Sequence, residues 1–274
     1  MNEKPAEKKV TYVSMDKMQL CGLMGIPKRP RALAIMMHGI VQDKNEWGNF
    51  YVYIANRLRE EEISTFRFDF RGHGESQGSS MDVSIIGDVL DVKASIDLVC
   101  KNWNDKLILI ATSFGAGPAL LTAAQMQSKI KLIVLIAPVL DYEATFLTPK
   151  TEWASAYFNE KALKQLPEKG YLAFEEGYKL SPKLIEEFRL IKPYETLRIL
   201  RVPIMIIHGD QDSMVPFEIS KKFAASVPNL KLITLLGADH GFVDAEDESG
   251  KSPKSLENKE KMCREIIKFI GESY

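Results

Sequence analysis

Apolar runs alternate along this chain with amphipathic stretches of helical period. Ala32-Leu-Ala-Ile-Met-Met-His38 is apolar with almost no break, the pattern of a strand buried on both faces. Ser64 to Asp69, Lys106 to Thr112, Lys131 to Pro138, Pro203 to His208 and Leu230 to Leu236 repeat the theme. Between them the periodicity changes. Glu46 to Glu61 predicts a helix. Met81 to Trp103 predicts a longer one, with Ile85, Val89, Val92, Ile96, Val99 and Trp103 on one stripe. Leu256 to Ile270 predicts the closing helix, with Met262, Ile266, Ile267 and Ile270 facing inward. A strand pair from Val10 to Ile26, turning at Asp16-Lys17, precedes them. Strands alternating with helices predict an α/β fold with a mostly parallel sheet covered on both faces.

The alternation breaks from Tyr142 to Val202. Sixty-one residues separate two core strands there, more than a plain crossover needs. Lys161 to Leu166 and Pro182 to Ile191 read as helices, the second opened by Ser181 with Pro182 at its first position. The expected organisation is a core of residues 1–141 and 203–274 with an inserted helical lid, 142–202. The lid holds ten aromatic residues, from Tyr142 to Tyr194. They either line an apolar pocket or pack the lid on the core. Tyr142, Trp153 and Tyr178 are the candidate substrate contacts.

Composition narrows the picture only a little. The chain has 274 residues, 45% of them hydrophobic and 27% charged, an ordinary soluble globular balance. A net charge of -1 gives no electrostatic reason to expect nucleic acid or an anionic membrane as partner. No apolar run approaches the roughly 20 residues that span a bilayer. Met1 to Lys9 is polar and lacks an apolar core, so no signal peptide is expected. The cytoplasm is the default location, although a chain trimmed of its signal reads the same. Cys21, Cys100 and Cys263 are odd in number and far apart, and read as small hydrophobes in a reducing compartment. A homodimer is allowed. Gly/Ser/Lys-rich Asp244 to Ser255 reads as a solvated loop.

The chemistry centres on Ser113. The apolar strand before it and the small residues Gly115-Ala-Gly117 after it have the layout of a nucleophile elbow, a sharp turn that exposes a serine hydroxyl above a sheet. A hydroxyl is a poor nucleophile unless a base takes its proton and an acid orients the base. Both follow at strand ends: Asp212 in His208-Gly-Asp-Gln-Asp212, and His240 in Gly237-Ala-Asp-His240. The bland alternatives for Ser113 are an ordinary turn serine and an elbow kept by a catalytically dead relative. No His-Glu-x-x-His, paired Cys-x-x-Cys or phosphate-loop motif is present, so neither a metal nor a cofactor is expected.

With His38-Gly39 and Asp69-Phe-Arg-Gly-His-Gly-Glu-Ser76, these segments resemble the α/β-hydrolase superfamily over nearly the whole chain. The resemblance is nearest to cinnamoyl (feruloyl) esterases, monoacylglycerol lipases and serine aminopeptidase-like hydrolases. The order Ser113, Asp212, His240 is that of the superfamily. The resemblance implies Ser113 as nucleophile, His240 as general base and Asp212, ahead of Asp210, as the orienting acid. It implies structural roles for His38, His73 and His208. Asp239 is expected to bond turn backbone. The backbone N–H groups of Phe114 and Ile40 would form the oxyanion hole. One position departs from the pattern: Ala111 stands where Gly-x-Ser-x-Gly begins, and its single methyl is expected to be tolerated.

The resulting expectation is a serine-dependent carboxylic-ester hydrolase acting on a small-molecule ester, with a feruloyl-type acyl group among the candidates. An acyl-thioesterase or acyltransferase, suggested by Ala111, and an aminopeptidase-like amidase share the triad. For the amidase, Glu143, Glu152 and Glu160 are candidate acids in the lid. A ligand-binding receptor on the same fold is the non-enzyme alternative.

Overall fold

The apolar runs pair into one eight-stranded sheet, with the central strands buried on both faces, because such strands need neighbours for their backbone groups. A computed structural model describes residues 7–103, 107–247 and 250–273. Most of the amino-terminal stretch read for a signal peptide, Lys106 of the predicted Ser113 strand and residues 248–249 of the predicted loop lie outside them.

The elements in chain order are β1 (Lys8–Val13), β2 (Gln19–Gly25), β3 (Ala32–Met37), α1 (Phe50–Glu60), β4 (Ile63–Asp69), α2 (Ile85–Trp103), β5 (Leu107–Thr112), α3 (Ala116–Gln125), β6 (Ile130–Ile136), α4 (Glu152–Tyr157), α5 (Glu160–Lys169), β7 (Leu172–Ala173), β8 (Lys179–Leu180), α6 (Pro182–Leu190), α7 (Pro193–Leu197), β9 (Ile204–Gly209), α8 (Phe217–Ala224), β10 (Leu230–Leu235) and α9 (Pro253–Gly271). The sheet order is β1-β2-β4-β3-β5-β6-β9-β10. Only β2 runs against its neighbours. The pairs from β4 to β10 are parallel.

Alternate side chains of each central strand feed two cores. Leu33, Ile35 and Met37 of β3 pack on one face with α2 and α3 residues such as Val92, Ile96 and Leu120. Ala32, Ala34 and Met36 pack on the other with Tyr51 and Leu58 of α1 and Met262 and Ile266 of α9. The sheet is therefore covered on both faces, as the unbroken apolar runs predict. The fold is the α/β-hydrolase fold.

Several boundaries differ from expectation. The helix expected from Glu46 starts at Phe50, because Glu46, Gly48 and Asn49 all take positive φ. The long helix starts at Ile85, after a short turn at Ser80–Asp82 capped reciprocally by Ser79 and Asp82. The closing helix starts three residues early, where the Ser252 side chain caps the Ser255 N–H. Helix α8 and the small β7–β8 hairpin were not expected, being too short for periodicity to reveal.

Between β6 and β9, residues 142–202 hold α4 to α7 and the β7–β8 hairpin. Rings hold this segment together: Phe146 and Phe188 stack at 4.8 Å, and Tyr142 and Phe188 at 5.4 Å. Among the described residues, no helix is long and apolar enough to cross a membrane.

Candidate active site

The carboxyl ends of the parallel strands converge on one rim, where ligands of open α/β sheets bind. Ser113 stands there between β5 and α3, at φ 48°. Such a conformation costs a non-glycine residue about 1–3 kcal/mol and persists only where its surroundings enforce it. The enforcement is close packing. A Cβ on Gly115 would come within 2.5 Å of the His38 carbonyl oxygen, and one on Gly117 within 2.0 Å of the Tyr142 hydroxyl. Only glycine lets α3 start this near β3. Ala111, two residues before Ser113, is fully buried and paired with Met37 and Leu135. Its methyl fits in the core.

The other two groups meet because two turns are laced together. Gly209 ends β9 so close to the loop after β10 that a Cβ would sit 2.1 Å from the Ala238 carbonyl oxygen. Gln211 N–H donates to that same oxygen. Asp212 and His240, carried on these turns, bond at 2.8 Å from Oδ2 to Nδ1. Asp212 is saturated with partners. Oδ1 accepts from Met214 N–H at 2.9 Å and Val215 N–H at 2.7 Å, and Oδ2 also faces His208 Nε2 at 3.0 Å. Burial pushes this carboxyl up, but the charge of His240 and the bonds from both histidines outweigh it and hold it below the ordinary carboxylate range. Burial pushes His240 down, and the Asp212 carboxylate more than offsets that, so the imidazole sits above its ordinary value. The partners assign the proton on Nδ1 to the Asp212 bond, which leaves the Nε2 lone pair for a proton transfer.

Burial holds two of the other histidines, His38 and His73, neutral. His38 Nε2 accepts from Phe70 N–H at 3.0 Å, and its Nδ1 bonds the Gly39 carbonyl at 2.7 Å. Burial lowers it to about 4. His73 Nε2 accepts from Val41 N–H, and burial lowers it to about 3. His208 reaches Asp212, a contact the sequence did not suggest. Asp210 accepts from Gly237 N–H, while Asp239 accepts from the N–H groups of Ser213 and His240. Both acids bond turn backbone.

Ser113, His240 and Ile40 line one cavity of about 550 Å³. Its far wall comes from residues 142–202: Phe146, Trp153, Tyr157 and Glu175. Glu46, Trp47 and Phe50 line it from the core side, and none of these was expected at a site. Phe114, the other oxyanion residue expected, is buried directly after Ser113. Trp153 faces the cavity, its indole N–H bonded to Glu175 Oε1 at 2.5 Å. The expectation for Tyr142 is corrected. It is fully buried under the elbow, and its hydroxyl donates to the Phe114 carbonyl at 3.1 Å. Tyr178 lies on a second, polar cavity of about 440 Å³, which shares Gln42, Glu46 and Trp47 with the first. Glu143 and Glu160 form ion pairs with Lys192 and Lys164 instead of facing Ser113.

Among the described residues, one group has metal-ligand spacing: Cys21, Asp69 and Glu75. Lys44 Nζ fills it, 2.7 Å from Asp69 and 2.9 Å from Glu75. An ammonium is already shared between these two carboxylates.

Comparison with known proteins agrees with this architecture. Residues 28–180 match the family described as serine aminopeptidase, S33, and residues 188–273 match the dienelactone hydrolase family. An uncharacterized Salmonella typhimurium protein, YfhR, is 24% identical over 81% of this chain and 70% of its own length. Mouse monoglyceride lipase is 31% identical over 40% of this chain and 36% of its own. The structure of Est1E from Butyrivibrio proteoclasticus with bound ferulic acid superposes with a TM-score of 0.74 at 24% identity, covering 94% of this chain and 100% of that one. The chain belongs to the serine aminopeptidase S33 family of the α/β-hydrolase superfamily, and is a hydrolase with esterase- and lipase-like relatives.

Proposed function

We propose that the protein is a serine-dependent carboxylic-ester hydrolase working through an acyl-enzyme on Ser113. The observation that carries this reading is the Asp212–His240 bond at 2.8 Å, with His240 on the same cavity as an elbow serine. His240 Nε2 takes the Ser113 proton as Oγ bonds the ester carbonyl carbon. The oxyanion is held by the N–H groups of Ile40 and Phe114. As it collapses, the carbon–alkoxide bond breaks and the imidazolium returns the proton to the leaving alcohol. Water then gives a proton to His240, attacks the acyl-enzyme, and releases the acid with Ser113 restored. Asp212 stays ionised and stabilises the imidazolium.

Residues 142–202 act as a lid. Their aromatic wall of Phe146, Trp153 and Tyr157 favours an apolar or aromatic acyl group, which includes feruloyl esters. The test is hydrolysis of p-nitrophenyl esters from acetate to long chains, plus methyl ferulate, for wild type and S113A. Turnover that S113A abolishes supports the proposal. Equal turnover by S113A refutes it.

A second reading, an aminopeptidase-like amidase, is favoured by Glu175. This carboxylate lines the same cavity as Ser113, and among the described residues no lysine or arginine lines it. Aminoacyl p-nitroanilides in the same assay separate the two. Turnover of these in preference to the matching N-acetylated compounds selects the amidase.

A further inference from the structure

Strained backbone gathers where strand ends open on the cavity. Val41, Glu46, Ser113 and Phe242 all have positive φ. The elbow accounts for Ser113, but nothing so far accounts for Glu46. At φ 63° and ψ 167° it occupies a region that is nearly reserved for glycine, at a cost of about 1–3 kcal/mol. The residue is also only 7% exposed, an unfavourable place for a carboxyl.

Both penalties are accepted at a position that fixes one turn. Glu46 Oε1 accepts from Gly39 N–H at 2.5 Å, and Oε2 accepts from Trp47 N–H at 3.1 Å. On the other side of the same residue, the Gly39 carbonyl is bonded by His38 Nδ1 at 2.7 Å. Gly39 is thus pinned at both ends. In a trans peptide the carbonyl and the following N–H point in opposite directions, so pinning the Gly39 carbonyl also aims the Ile40 N–H. Gly39 itself lies against the nucleophile: a Cβ there would sit 3.3 Å from Ser113 Cβ and 3.4 Å from Glu46 Oε1.

We infer that Glu46 is a positioning residue of the oxyanion hole, which holds Gly39 so that the Ile40 N–H faces the oxygen of a carbonyl attacked by Ser113. The inference rests on the serine-hydrolase reading. Glu46 also has an electrostatic consequence. It faces His240 on the loop after β10, with Asp239 on the same cavity, Asp43 on its own loop and Tyr51 from α1. Burial, against the two N–H bonds, pushes the carboxyl up to about 7. Its ionised form favours the His240 imidazolium, so removing it lowers the pH at which His240 loses its proton.

The experiment measures kcat and KM on p-nitrophenyl butyrate from pH 5 to 9 for wild type, E46A, E46Q and S113A. Losing one oxyanion donor costs about 100- to 1000-fold in kcat, so a misaimed Ile40 in E46A should cost about 100-fold with KM nearly unchanged. Gln keeps an acceptor for Gly39 N–H, so E46Q should recover to within about tenfold of wild type. In both variants the acid limb of kcat/KM should move to lower pH. The inference is overturned if E46A keeps wild-type kcat, if E46Q loses as much as E46A, or if KM rises as much as kcat falls. If E46A does not fold, E46D decides: its shorter arm withdraws the acceptor from the Gly39 N–H, so a fall in kcat of about tenfold or more with KM nearly unchanged upholds the inference, and wild-type kcat overturns it. Full activity in S113A would instead sink the serine-hydrolase reading itself.

Discussion

The floor and the roof of the cavity are built by different physics. The floor consists of strand ends and tight turns. Its groups are fixed by backbone hydrogen bonds, glycines at places where a Cβ would come within 3 Å of a neighbour, and enforced positive φ. The roof, residues 142–202, is fixed by ring packing, with Phe146, Phe158 and Phe188 sharing contacts of 4.8 to 6.1 Å. Hydrogen bonds and sterics at turns are directional, so they define atoms to fractions of an ångström. Aromatic packing is broad in angle and tolerates exchange of one apolar side chain for another. A floor of the first kind suits chemistry, and a roof of the second kind suits adjustable substrate choice.

Substitutions in the floor should therefore act on kcat, and those in the roof on KM. The largest effect is expected from S113A, which should lower kcat by about 10⁴- to 10⁶-fold with an unchanged Tm. A Tm drop of several degrees would mean that Ser113 is mainly structural. D212N should follow with a loss of about 10⁴-fold in kcat, measured on the same ester, because Asn cannot stabilise the imidazolium. D210N should stay near wild type, since Asp210 bonds only turn backbone among the contacts described.

The pH profile carries a sign. In the proposed mechanism His240 must be neutral to accept the Ser113 proton, and Asp212 holds its value above the ordinary imidazole range. Wild-type kcat/KM should thus fall as pH drops through a value above about 6.5, and be flat well above it. An acid limb centred below pH 6 would contradict the Asp212–His240 pairing.

For the roof, W153A should raise KM about tenfold for methyl ferulate and hardly change p-nitrophenyl acetate, since an acetyl group offers little surface to an aromatic wall. Equal effects on both esters would place Trp153 outside substrate recognition. The smallest change is expected at the joint between floor and roof. Y142F removes the donor to the Phe114 carbonyl and should cost about 1 kcal/mol in urea unfolding, with kcat within about threefold.

The same contrast explains what could be read from sequence. The elbow was legible because a Cβ on Gly115 or Gly117 would come within 2.5 or 2.0 Å of a neighbour, and steric necessity leaves a local signature. Asp212 and His240 were legible for a related reason, each ending an apolar strand with a turn. The roof was legible as an insertion rich in rings, but not ring by ring. Tyr142 and Trp153 look alike in sequence, yet one is wholly buried under the elbow and the other faces the cavity. Which way each ring turns is set by packing between segments distant in the chain. Glu46 was hidden more completely. A glutamate just ahead of an apolar periodic run reads as the first turn of a helix, and its bond to Gly39 joins two loop residues only through their fold. His208 was hidden similarly, since its contact with Asp212 depends on how the turn after β9 closes.

The central claim is that Ser113 is activated by the Asp212–His240 pair. Its most direct test is brief exposure of wild type and H240A to a fluorophosphonate at pH 8, followed by peptide mapping by mass spectrometry. The account predicts a single adduct on Ser113 in wild type, with labelling at least about 100-fold slower in H240A. An adduct on another residue, or labelling of Ser113 at the same rate without His240, would contradict it.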